Sequence, residues 1–101
     1  MTLRHPQLTR YDGRMTKQDA ALQSAVVDQL NAEIGAHQWS IADLARKMGR
    51  PYDSTRNYMT KERAMPLEFL LQAATTVGVP VEEIVARARA QQLDKYLEPD
   101  A

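Results

Sequence analysis

The sequence predicts an all-α protein of five helices. Three observations carry that reading. Apolar residues recur at three- and four-residue spacing in five successive stretches, and each stretch is bounded by capping residues, glycine or proline. Alanine is abundant, with 14 in 101 residues, whereas there are only four glycines and 6% aromatic residues. That composition favours helix over strand. No run alternates apolar with polar residues, and there is neither an internal repeat nor a low-complexity tract.

The first 15 residues contain Pro6 and Gly13 without clean periodicity, and they read as an irregular basic arm. Thr16 with Asp19 forms a capping-box signal for the first helix. Leu22, Val26, Leu30 and Ile34 then lay one apolar stripe along it, and Gly35 is its expected terminator. Ser40 with Asp43 repeats the box for a second helix of about two turns. Ile41, Leu44, Ala45 and Met48 are its apolar side, and Gly49 closes it. After Gly49-Arg50-Pro51 a third helix runs to Tyr58 or Met59, with Thr55, Tyr58 and Met59 inward and an unusually polar opposite face. A linker, Thr60-Lys61-Glu62-Arg63, leads to Pro66 and a fourth helix with Leu67, Leu70, Leu71, Ala74 and Val77 as the expected buried stripe, ended by Gly78. Pro80 opens a fifth, with Val81, Ile84, Val85 and Ala88 inward, and Leu93, Tyr96 and Leu97 continue it to Pro99. One domain over residues 16–98 follows, with an arm at 1–15 and a short tail at 99–101.

Composition excludes several kinds of chemistry. Without cysteine there is no disulfide, thiolate zinc site, iron–sulfur cluster or cysteine nucleophile. No apolar run approaches the ~20 residues of a membrane helix, and the N-terminus carries no hydrophobic leader, so a cytoplasmic protein is expected. No nucleophile–base pair, phosphate-binding loop or metal cluster can be assembled, so neither an enzyme nor a cofactor is expected, and no small-molecule ligand is evident. Net charge is zero, from 13 basic and 13 acidic side chains, but the signs are segregated. Residues 1–17 and 40–66 are each basic by three charges, while 18–39 and 67–101 are each acidic by three. A neutral chain with two basic zones can present a polyanion-binding face, or merely a solvated surface.

Two short helices joined by a glycine-containing turn form the pattern of a helix-turn-helix, here over residues 40–59. The stretch Ser40-Ile41-Ala42-Asp43-Leu44-Ala45-Arg46-Lys47-Met48-Gly49 resembles the first helix and turn of the lambda-repressor/Cro-type (XRE-like) family. Tyr58 through Leu67 resembles the linker that follows the recognition helix in that family, and Ala73-Ala74 with Val77-Gly78-Val79 is similar to the end of its fourth helix. The similarity spans roughly residues 20–90. It implies a lambda-repressor-like domain whose third helix enters the major groove of double-stranded DNA. Tyr52, Asp53, Ser54, Arg56 and Asn57 are then the base-reading residues. Their chemistry suits the role: arginine pairs with guanine, asparagine with adenine, and aspartate accepts from cytosine. The resemblance assigns phosphate contacts to Ser40 at the second helix's N-terminus and to Arg50, Thr60, Lys61 and Arg63. The sequence departs from the family where Ile41 replaces a common glutamine, Pro51 a capping serine, Thr55 a valine or isoleucine, and Lys61 a frequent glycine.

The remaining features divide less sharply. Arg4, Arg10 and Arg14 read either as an arm following the minor groove or as an unstructured tail. Trp39 reads as core packing rather than a base-stacking platform, His37 as a surface or capping residue, and Met15, Met48, Met59 and Met65 as core filler. Leu93, Tyr96 and Leu97 form an expected surface for a homodimer. The implied function is a transcriptional repressor that occupies operators and blocks promoters. Nine arginines against four lysines fit a GC-rich host. A phage immunity repressor, such as one from an actinobacteriophage, is the expected type. The length leaves no room for a second, self-cleaving domain, so control is expected from concentration, turnover or a partner. The alternative is an antitoxin that binds a toxin and autoregulates its promoter.

Overall fold

The computed structural model describes residues 16–97, with side chains to residue 94. Five helices follow one another: α1 (Lys17–Ala36), α2 (Ile41–Met48), α3 (Tyr52–Met59), α4 (Leu67–Val77) and α5 (Val81–Leu97). There is no strand among the described residues. The expected arm at 1–15 and tail at 99–101 lie outside them.

Both predicted capping boxes form. The Asp19 amide donates to Thr16 Oγ1 at 3.0 Å, and the Asp43 amide donates to Ser40 Oγ at 3.0 Å. In return each carboxylate accepts from the cap residue's own amide. Each box satisfies two N-terminal donors that the helix itself cannot pair.

The helix ends share one device. After each of α1 to α4 a residue enters the left-handed region, and the next amide reaches back five residues. Gly49 (φ 68°) does this after α2, with the Arg50 amide donating to the Ala45 carbonyl at 2.9 Å. Gly78 (φ 81°) does it after α4. The other two residues are not glycines. Gln38 (φ 62°) ends α1, and the Trp39 amide donates to the Ile34 carbonyl at 2.8 Å. Gly35, the expected terminator, instead lies inside the helix, because the chain turns left-handed three residues later. Lys61 (φ 70°) ends α3, and the Glu62 amide donates to the Asn57 carbonyl at 2.9 Å.

α1 and α5 pack along each other, with α4 across them and the short α2–α3 pair against α1 and α4. The shared core contains Val26, Leu30, Ile34, Leu44, Met48, Met59, Phe69, Ala73, Val77, Ile84 and Ala88. The α4 stripe is partly the expected one. Ala74 and Val77 are buried and Leu70 packs against the core, but Leu67 is 68% exposed, Leu71 also faces outward, and Phe69 and Ala73 are fully buried in their place. The helix is rotated so that its one aromatic side chain fills the centre, edge-on to Tyr58 with ring centroids 5.0 Å apart. A polar seam accompanies α1 and α5. Gln29 donates to Gln91 at 2.8 Å, Gln91 to Asp28 at 3.1 Å, and Arg87 pairs with Glu33 at 2.7 Å and with Glu83. Those two carboxylates raise the Arg87 pKa. No single described helix is long and apolar enough to cross a membrane.

Candidate nucleic-acid interface

α3 presents the site because its inner face is committed. Thr55 and Met59 are buried, one turn apart, so the residues between them must face elsewhere. Tyr52, Asp53 and Arg56 are exposed, and Ser54 and Asn57 are half-buried at the flanks. Arg56 and Asn57 touch, with Arg56 donating to Asn57 Oδ1 at 3.4 Å. The helix has no side-chain N-cap: Pro51 precedes it, and the Pro51 carbonyl accepts from the Thr55 amide at 3.3 Å and the Thr55 hydroxyl at 2.9 Å. The far end is held from outside, where Asn31 Nδ2 on α1 donates to the Met59 carbonyl at 3.0 Å. Position and tilt of α3 therefore come from Thr55 and Met59 in the core and from the Asn31 bond rather than from a side-chain cap.

The linker follows directly. Thr60 is exposed, and its hydroxyl donates to the Arg56 carbonyl at 2.7 Å. Lys61 and Arg63 are exposed beside it, bordering a groove of about 340 Å³ between the linker and α1, floored by Gln23, Ser24 and Val27. The α2 N-terminus already holds an anion. The Asp43 carboxylate accepts from the Ser40 amide at 2.8 Å and from Arg46 at 2.6 Å. The Ser40 amide, with help from Arg46, lowers the Asp43 pKa to about 2.

The expected cations carry acidic partners that sequence reading missed. Lys61 Nζ lies 2.7 Å from Asp28, Arg56 lies 3.6 Å from Glu62, and Arg50 lies 3.7 Å from Glu68. These are solvent-facing pairs, each worth about 0–1 kcal/mol and readily exchanged for another anion. Of the cations from α2 to the linker, Lys47 and Arg63 are in no ion pair with another described residue. Lys47 was not among the expected contacts. Its ammonium sits 4.6 Å above the Trp39 ring, which also stacks on His37 at 4.3 Å. Trp39 is half-buried in the core's rim, and His37 Nε2 lies 3.0 Å from the Val77 carbonyl at the end of α4.

Arg50 is the expected contact whose side chain is engaged by α4. Its Nε donates to Gln72 of α4 at 2.7 Å, and its guanidinium lies 5.3 Å over the Phe69 ring. Of the expected dimer surface, Leu93 is 53% exposed, while the Tyr96 and Leu97 side chains lie outside the described residues, as do Arg4, Arg10 and Arg14. No described group of three or more histidine and acidic side chains is placed to hold a metal ion. Comparison with protein-family models, curated proteins and solved structures finds no significant match.

Proposed function

We propose that the chain is a sequence-specific, double-stranded-DNA-binding repressor of the short phage-immunity type, with α2 and α3 as a lambda-repressor-like helix-turn-helix. The observation that carries this reading is the outer face of α3. Tyr52, Asp53 and Arg56 are exposed there with Asn57 at the edge, on a helix anchored by Thr55 and Met59 behind a three-residue bend. Arg56 donates to a guanine edge, Asn57 pairs with adenine and Asp53 accepts from cytosine, each good bidentate pair giving ~1–3 kcal/mol of discrimination. Ser54 and Tyr52 complete the reading surface. Lys61 and Arg63 hold phosphate, joined by the Ser40 hydroxyl proton and by Thr60 once its hydroxyl leaves the Arg56 carbonyl; these contacts supply salt-dependent affinity and fix register. Binding replaces the Arg56–Glu62 and Lys61–Asp28 pairs with DNA, and their exposure keeps that exchange inexpensive. Two copies paired through Leu93, Tyr96 and Leu97 would read two half-sites, and a bound operator overlapping a promoter excludes polymerase.

Selection of bound fragments from random duplexes tests this. Arg56→Ala and Asn57→Ala each change the preferred base at one position, whereas Arg63→Ala weakens all sequences alike and reduces the salt slope by about one. An unchanged preference in the first two variants removes α3 from the reading role. A second reading, an antitoxin, is favoured by the exposed Leu67 and Leu71, four residues apart on α4. Copurification of a small toxic protein would establish it instead.

A further inference from the structure

Arg50 stands in the bend that sets how α3 leaves α2, yet only 24% of its side chain is exposed and it faces α4. Gln72 of α4 is half-buried and uses both ends of its amide on that bend. Its Oε1 accepts from Arg50 Nε at 2.7 Å, and its Nε2 donates to the Met48 carbonyl, the last of α2, at 2.8 Å. The Arg50 amide meanwhile closes the α2 C-terminus on Ala45 at 2.9 Å, and its guanidinium covers the Phe69 ring. Glu68, 3.7 Å away, adds an acidic partner at the outer edge. One glutamine thus grips the backbone before the bend and the side chain within it, and both grips lead to the same rigid helix.

We infer that Arg50 and Gln72 are positioning residues for the reading helix, and that Arg50 does not contact phosphate. The inference rests on the DNA-binding reading and assigns its specificity partly to a pair that joins the bend to α4. A guanidinium that hydrogen-bonds a neutral amide under partial burial has a defined direction, and lysine cannot reproduce the Nε–H geometry. Loss of either partner loosens the angle of α3, which degrades discrimination between sequences more than total affinity, because phosphate contacts tolerate small displacements and bidentate base contacts do not.

The test compares Arg50→Gln, Arg50→Lys, Gln72→Leu and the double variant Arg50→Gln/Gln72→Leu, each first confirmed folded by circular dichroism. Affinities for the selected operator and for a scrambled duplex are measured across a salt series. The expected result is a roughly tenfold loss in the ratio of the two affinities for Arg50→Gln, on the scale of one hydrogen bond to a charged group. The salt slope stays unchanged, Arg50→Lys gives no rescue, Gln72→Leu shows the same loss, and the double variant is no worse than either single one. A salt slope reduced by about 0.9 in Arg50→Gln, or full rescue by Arg50→Lys, makes Arg50 a phosphate ligand and overturns the inference. Wild-type protein that fails to distinguish the two duplexes overturns the DNA reading instead. The brace is then judged without DNA, by amide exchange at Arg50 and Thr55, the amides in that stretch that are hydrogen-bonded. Faster exchange in Gln72→Leu supports the brace, and unchanged exchange refutes it.

Discussion

α2 and α3 are both eight residues long, and almost nothing else about their stabilisation is alike. α2 is closed locally at both ends, by the Ser40–Asp43 box and by Gly49, and it buries Leu44, Ala45 and Met48. α3 has a proline without a side-chain cap at one end, a left-handed lysine at the other, and only Thr55 and Met59 buried. Asn31 of α1 holds its far end, while the Gln72 brace reaches only the end of α2 and the bend before α3. Neither helix is long enough to persist alone in water. The difference teaches where the chain places intrinsic stability: in the supporting helix, while the helix with the exposed polar face has few residues committed to the core.

The largest effects should come from the core side of each helix. Leu44→Ala and Met59→Ala each remove a buried side chain and should cost roughly 2–5 kcal/mol in denaturant unfolding. What separates them is the location of the loss. Leu44→Ala should lower amide protection throughout the protein, because α2 is tied into the core by three residues. Met59→Ala should release α3 first, with protection falling in residues 52–59 while α1 and α5 keep theirs. Equal losses in every helix for both variants would erase the distinction between a supporting and a supported helix.

A smaller effect separates the two N-termini. Ser40→Ala should cost about 1 kcal/mol. The cap also carries a pH signature. Asp43 titrates at about 2 in the folded protein against 3.8 for the free group, mainly because the Ser40 amide donates to it. The folded value lies below the unfolded one, so the contribution is complete above about 3.8 and is lost as pH falls toward about 2. Melting Asp43→Asn beside the wild type should therefore show a gap at neutral pH that closes in acid. A gap independent of pH would mean that the carboxylate's charge has no part in the cap.

Much of this contrast was legible in the residues. The T-x-x-D and S-x-x-D boxes, the four-residue stripe on α1, the Gly49 and Gly78 stops and the polar character of α3 are all local patterns, and each has a short-range physical cause. The stripe on α4 was legible only in part. Ala74 and Val77 were expected and are buried, but Leu67 and Leu71 fit a 3.6-residue period beside them as well as Phe69 and Ala73 do, and only the packing of a single ring against Tyr58 chooses between the two flanks. The left-handed residues Gln38 and Lys61 were hidden because their side chains give no sign of positive φ. The acidic partners of the site were hidden too: Asp28 is 33 positions from Lys61 in sequence, and only the fold brings them to 2.7 Å. Exposure of the α3 face followed from pattern; its electrostatic environment depended on tertiary structure.

The smallest effect concerns the two C-termini, where α2 ends in glycine and α3 in Lys61 at φ 70°. A side chain in that region costs roughly 1–2 kcal/mol in steric strain, and glycine avoids it. Glycine also loosens the unfolded chain by about 0.4–1 kcal/mol, and substitution gives up the exposed pair with Asp28, worth about 0–1 kcal/mol. These terms nearly cancel, so Lys61→Gly should lie within a few tenths of a kcal/mol of the wild type. Lys61→Ala keeps the strain and loses the pair, so it should be the less stable of the two variants by a few tenths to about 1 kcal/mol, read from denaturant midpoints. On DNA the two variants have lost the same charge and should bind equally weakly with the same reduced salt slope. If Lys61→Ala bound as tightly as wild type, the lysine would be retained for its pair with Asp28 rather than for phosphate. If Lys61→Ala proved more stable than Lys61→Gly, the left-handed end of α3 would carry no strain, and the contrast with Gly49 would reduce to the N-termini alone.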